Sequence, residues 1–136
     1  LIVLFSQNLL AAYSSNDQAQ RAIQFANSAI ECGIYYQYMA RGMSNNPKIP
    51  SEMIKQVSDK AEMLINTADG LYGAAGVSTK TKYNDVLLKA KDLVAQRNLN
   101  KENMSDLIYE RGKTCQVLLL NYNESVKEFL DPIENY

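Results

Sequence analysis

Histidine is absent from this chain of 136 residues, and so is tryptophan. Without histidine there is no Ser-His-Asp triad, no Cys-His pair, no three-histidine zinc site and no imidazole proton shuttle. An excess of charge of one sign is lacking too, since 14 Lys and Arg stand against 15 Asp and Glu, a net charge of −1. That leaves no field to draw in DNA or RNA, which needs a basic excess on one face. The most basic stretch, 77–97, holds Lys80, Lys82, Lys89, Lys91 and Arg97 against Asp85 and Asp92, net +3. A stretch of that kind reads as a solvated helix face rather than a phosphate track. Cysteine is scarce at 2 and proline at 3, so few positions interrupt or cross-link the chain.

What is present is an ordinary globular composition, 46% hydrophobic and 21% charged, in a length that fits one domain. Tyrosine, at 9, is the main aromatic residue. The chain opens on LIVLFSQNLLAAYSS, whose apolar stretch Leu1–Ala12 is shorter than the roughly 20 residues that span a bilayer. It resembles the tail of a secretory signal, with small residues around Ala12-Tyr13-Ser14 that place a cut before Ser15. We expect residues 1–14 to be such a remnant, or a short apolar helix ahead of the domain, and 15–136 to be the folded domain.

From Ser15 onward apolar residues recur at helical spacing, with no sustained alternation of period two. A first helix is expected over 15–43, capped by Ser15 or Asn16, with Ala22, Phe25, Ala26, Ala29, Cys32, Gly33, Tyr36, Met39 and Ala40 on its apolar stripe. SNNPKIP breaks it. A second helix follows from Pro50 or Ser51 to Ala75, with Met53, Ile54, Val57, Ala61, Leu64, Ile65, Ala68, Leu71 and Tyr72 inward, ending on Gly76 in a left-handed conformation. A third spans 79–97, capped by Ser78, with Tyr83, Val86, Leu87, Ala90, Leu93 and Val94 inward. A fourth, over 101–130, is capped by Asn100, carries Met104, Leu107, Ile108, Cys115, Leu118, Leu119, Tyr122, Val126 and Phe129 inward, and stops at Pro132. The expected fold is all-α, an antiparallel up-down four-helix bundle.

Cys32 and Cys115 lie at mid-length on the stripes of the first and fourth helices, which are antiparallel neighbours in such a bundle. Gly33 follows Cys32 and Gly112 sits one turn before Cys115. Glycine inside a helix costs about 1 kcal/mol relative to alanine. Close approach of the two backbones gives a reason for both, because a disulfide wants Cα atoms about 5.5–6 Å apart. We therefore expect a Cys32–Cys115 disulfide with Gly33 and Gly112 at a close helix contact. The chain-entropy model gives a bridge over about 80 residues on the order of 4 kcal/mol. Disulfides persist in exported proteins, so the expected location is periplasmic or secreted. A reactive thiol is not expected, since no His is present to lower its pKa.

The stretch AIECGIYYQYMARGM, residues 29–43, resembles an E-C-x-x-Y-Y segment of small exported all-helical proteobacterial proteins of unknown function. Glu31, Cys32, Tyr35 and Tyr36 carry the resemblance, over about 15 residues. It implies export and a helical fold, and no activity. Tyr36 and Met39 fall inward with Cys32, while Tyr35 and Tyr38 lie further round and are candidate partner-binding residues.

Other patterns are bland. GLYGAAG lacks the preceding strand and the G-K-[ST] of a phosphate loop and reads as helix packing with a cap. Asp59 with Glu62, and Asp106 with Glu110, have Lys or Arg nearby and read as surface ion pairs. The sequons at 103–105 and 123–125 fall within expected helices.

No catalytic residue, metal ligand or cofactor is expected, and the chain is not expected to be an enzyme. The expected function is an exported binding or inhibitor protein, immunity-like, acting on another protein, with a homodimer as one form of that contact. The alternatives are an accessory subunit of a cell-envelope assembly, touching the membrane only through Leu1–Ala12, and a helical carrier of an apolar small molecule. If partners bind through Tyr35 and Tyr38, replacing both with Ala should weaken binding while the melting temperature, read by circular dichroism, stays nearly unchanged. A fall in melting temperature instead would place both rings in the core.

Overall fold

A computed structural model describes residues 16–99 and 104–134. Over these residues the chain is all-α, in five helices: α1 Asn16–Ser44, α2 Ser51–Ala75, α3 Thr79–Leu99, α4 Met104–Leu120 and α5 Tyr122–Glu134. Leu1–Ala12, the Ser15 cap and the Asn100 cap lie outside the described residues.

Local chemistry sets the boundaries. Between α1 and α2, Asn46 accepts at Oδ1 from the Lys48 backbone N–H at 3.0 Å, a side-chain turn that competes with helix. Pro50 then stands at the cap in an extended conformation, φ −61° and ψ 139°, and α2 starts at Ser51. At the far end Gly76 has φ 74°, as a left-handed cap requires. The Val77 N–H closes that cap on the Tyr72 carbonyl at 2.8 Å. Ser78 Oγ accepts from the Thr81 N–H at 3.4 Å and opens α3.

The core is centred on the α1–α2 pair. On α1 the buried residues Ala19, Ala22, Ala26, Ala29, Gly33 and Tyr36 are spaced alternately by three and four. On α2 Ala61, Leu64, Ala68, Leu71 and Ala75 follow the same rhythm. This is the spacing of a coiled-coil seam. Its small residues bring the two backbones close: a Cβ added at Gly33 would lie 2.7 Å from Ile65 Cγ1 and 3.3 Å from the Ala61 carbonyl oxygen. The largest fully buried side chains are Tyr72, Ile30, Ile34, Leu64 and Leu71. Full burial of an aliphatic chain of this size contributes roughly 1.5–3 kcal/mol.

Ile30 and Ile34 lie off the expected stripe of α1, and both are buried. The reason is that α1 is covered on more than one side. It packs on α2, α3 and α4, and meets α5 through the Phe25 and Phe129 rings, tilted at 38° with centroids 6.0 Å apart. α3 is more peripheral: Tyr83, Val86, Leu87, Ala90 and Leu93 are only half-buried and Leu88 faces solvent. Met53, expected inward, is 51% exposed, because it stands in the first turn of α2 before the seam begins.

The expected fourth helix is two helices. α4 ends at Leu120 and α5 starts at Tyr122. At the break, the Asn121 side-chain Nδ2 and the Asn121 backbone N–H both donate to the Val117 carbonyl at 3.3 Å. A side chain that competes with the backbone for a helical acceptor loosens the helix at that point. Pro132 does not stop the helix either, since α5 runs through it to Glu134. A proline has no N–H to give the carbonyl four residues back, which is that of Glu128. The Gln18 side-chain amide of α1 donates to that carbonyl instead, at 3.1 Å.

Gly33→Ala should lower stability in urea denaturation by about 1–3 kcal/mol, the cost of overpacking a tight core contact. Gly70→Ala should raise it by about 0.5–1 kcal/mol, because a Cβ there meets nothing within 4 Å.

Candidate functional site

Cys32 on α1 and Cys115 on α4 form a disulfide with Cα atoms 5.4 Å apart. Both residues are buried, yet their bond walls one side of an open cleft between α1 and α4. The cleft is about 290 Å³. Its apolar lining comes from Phe25 and Tyr35 on α1 and from Val117 and Leu118 on α4. A second open cleft of about 360 Å³ adjoins it, sharing Phe25, Ser28 and Ser125 and ending at Phe129. Together they form a groove along α1, covered from the other side by α4 and α5.

Arginine–carboxylate pairs stand at the two ends of the groove. At one end Arg111 Nη1 is 3.8 Å from Glu31 Oε2. At the other, Arg21 Nη2 is 2.7 Å from Glu128 Oε1, with Asp17 Oδ2 3.5 Å from Arg21 Nε. All of these side chains are about half-exposed or more, so the pairs add little to stability, and with Asp17 and Glu128 sharing one arginine the Arg21 end is net negative. Apolar surface dominates the first cleft, whereas Arg21, Gln24, Ser28, Ser125 and Glu128 line the second beside Phe25 and Phe129.

The glycines beside the cystine play different parts from the one expected. Gly33 is buried, but its close neighbour is α2, through Ala61 and Ile65, and not α4. The rotation of 100° per residue carries Gly33 away from the direction in which Cys32 points. Gly112 does face α1: a Cβ placed there would lie 2.9 Å from the Tyr35 hydroxyl oxygen. Glycine at 112 thus makes room for the Tyr35 ring.

Tyr35 is half-buried, stacked edge-on against Tyr36 with ring centroids 5.2 Å apart. Burial, and then the neighbouring Tyr36, push its hydroxyl pKa above the ordinary tyrosine value. Tyr38 is also half-buried and has the Arg41 guanidinium 5.7 Å from its ring centroid. The structure does not bring Tyr35 and Tyr38 into one site. Tyr35 lines the cleft, whereas Tyr38 does not.

Three other tyrosines tie helices together through their hydroxyls. Tyr72 on α2 donates to Asn27 Oδ1 on α1. Tyr83 on α3 donates to Gln37 Oε1 on α1 at 2.9 Å. Tyr122 on α5 shares a hydrogen bond with Thr67 Oγ1 on α2. Sequence reasoning placed these rings on apolar stripes and missed their polar partners. The signal was the choice of Tyr over Phe at each stripe position, since a buried phenol needs a partner.

Among the described residues no group of three or more Cys, Asp and Glu could hold a metal ion. No described helix is long and apolar enough to cross a membrane. No protein-family model, curated protein or solved structure matches the chain.

The Tyr72 hydroxyl gives a pH signature. Burial, and then the Glu31 carboxylate, push its pKa up to about 12. The folded state therefore holds this proton more tightly than the unfolded chain, whose tyrosine titrates near 10. The resulting stability is fully present below pH 10 and is lost as pH rises toward 12. Urea midpoints measured from pH 9 to 12 should fall over this window. Tyr72→Phe should be less stable at pH 9 by about 1 kcal/mol, the worth of one hydrogen bond, and should show a shallower fall.

Proposed function

We propose that this chain is an exported, non-catalytic helical binding protein that works by contact with another protein. The carrying observation is the groove edge on α4. Val117 and Leu120, one turn apart, are 55% and 77% exposed, and Val117 also lines the cleft beside Tyr35 and the disulfide. Apolar side chains presented together beside an open cleft are how a protein surface receives an apolar anchor from a partner. The cystine is compatible with an oxidising compartment, and the E-C-x-x-Y-Y resemblance supports periplasmic or secreted placement.

In this reading the scaffold is an antiparallel up-down bundle, its last rod divided at Asn121. Partner numbers fall along one helix as they rise along the next. Asn27 meets Tyr72 and Gly33 meets Ile65 between α1 and α2. Gln18 meets Glu128, and Cys32 meets Cys115, between α1 and the α4–α5 rod. A carrier of apolar small molecules draws less support, because both described clefts open to water and no methionine lines them.

A photo-crosslinking residue at Val117 in the full chain, made in its own cells, tests the proposal. The expected result is a discrete protein adduct from position 117 and none from Lys60, an exposed position on α2. An adduct of twice the chain's mass identifies the partner as a second copy. No adduct from 117, with the protein present at its normal level, overturns contact through this face.

A further inference from the structure

Over Glu110–Leu120, the part of α4 whose side chains are described, the hold on α1 is uneven, with Gly112 against the Tyr35 hydroxyl. Between Glu110 and Leu120, Cys115 is the one buried residue. Leu118 and Leu119 are half-buried. The Glu31–Arg111 pair is about half-exposed on both sides, a setting in which an ion pair adds little. The α1–α2 seam, in contrast, is made by residues of those two helices alone. α5 has fastenings of its own: Val126 and Phe129 are buried, Tyr122 bonds Thr67, and Glu128 accepts from Gln18 and pairs with Arg21. Between α4 and α5 stands the single turn residue Asn121, where the Val117 carbonyl is shared by two donors.

We propose that the Cys32–Cys115 disulfide is a redox latch. A dithiol reductant opens it, and α4 then swings away from α1 about Asn121 while α1, α2 and α5 stay packed. The latch rests on the reading above that the bond is formed in the compartment where the protein works. The cleft of about 290 Å³, bordered by both half-cystines and open to water, is the way in for a small reductant. One thiolate of the dithiol attacks one Sγ, the S–S bond breaks, and the other Sγ leaves as a thiolate. The second thiol of the reductant then displaces the mixed disulfide. The reductant ends as its own disulfide, and Cys32 and Cys115 end as thiols, having gained two electrons and two protons. Opening uncovers the α1 surface around Cys32 and Tyr35 that α4 covers in the oxidised protein.

Hydrogen exchange followed by mass spectrometry on the full chain tests this, before and after dithiothreitol at neutral pH without denaturant. Thiols are counted by alkylation of the unfolded protein at each stage. The expected result is no free thiol at the start. After reduction, amides of 110–120 should exchange on the order of a hundredfold faster, while those of 22–36, 61–75 and 122–129 keep their protection. The double variant Cys32→Ser, Cys115→Ser should show the same regional pattern with no reductant. Loss of protection throughout α1 and α2, or an α4 that stays protected once two thiols are counted, overturns the latch. Two free thiols in protein taken directly from its cells overturn the compartment reading instead. The latch is then judged by the same exchange measurement on protein oxidised in air.

Discussion

The close contact of α1 with α2 is the constraint on which the remaining structure depends. Alanines at Ala22, Ala26 and Ala29 face a seam that includes Ala61, Leu64 and Ala68, all buried. Small side chains bring backbones together, and Gly33 takes that to its limit against the Ala61 carbonyl. Glycine in a helix interior is unfavourable by about 1 kcal/mol, and the packing it permits offsets that cost. Once the pair is formed, α1 still has apolar surface to cover on its other sides, at Ile30, Ile34, Phe25 and Cys32. α3, α4 and α5 supply that cover.

The outer helices are attached by discrete links more than by broad apolar faces. Tyr83 reaches Gln37 from α3, Tyr122 reaches Thr67 from α5, and the cystine reaches α1 from α4. Each link joins a polar or sulfur atom to one partner, so each fixes register as well as proximity. The groove follows from this mode of attachment. Where α4 and α5 meet α1 at a few points, space remains between them, and Tyr35, Phe25 and Val117 border it. Its arginines are paired within the protein, one with Glu31 and the other with both Asp17 and Glu128.

Much of the helical layout was legible in the sequence because punctuation residues act locally. Asn46, Pro50, Gly76 and Ser78 fix chain direction through their own backbone or nearest neighbours, and they mark the ends of α1, α2 and the start of α3 within a residue or two. The two misread positions involve choices that sequence alone does not decide. Asn121 is tolerated inside a helix or breaks it according to where its amide turns. Pro132 ends a helix unless another donor serves the carbonyl it strands, and that donor comes from 110 residues away. The cystine was readable from stripe position and depth along the rods. Which helix Gly33 touches was not, because one residue of helical rotation separates it from Cys32. Ile30 and Ile34 were missed for a related reason: a single amphipathic stripe describes a helix with one neighbour, and α1 has four.

The bond from Gln18 to the Glu128 carbonyl makes two distant positions answerable to each other. With proline at 132, the ladder of α5 has a vacancy that the Gln18 amide fills. Placing an ordinary residue at 132 would supply the missing rung, and glutamine at 18 would then compete for an acceptor already occupied. The effects of changing these two sites should not add, and evolution of this chain should tolerate the loss of one most readily after the loss of the other.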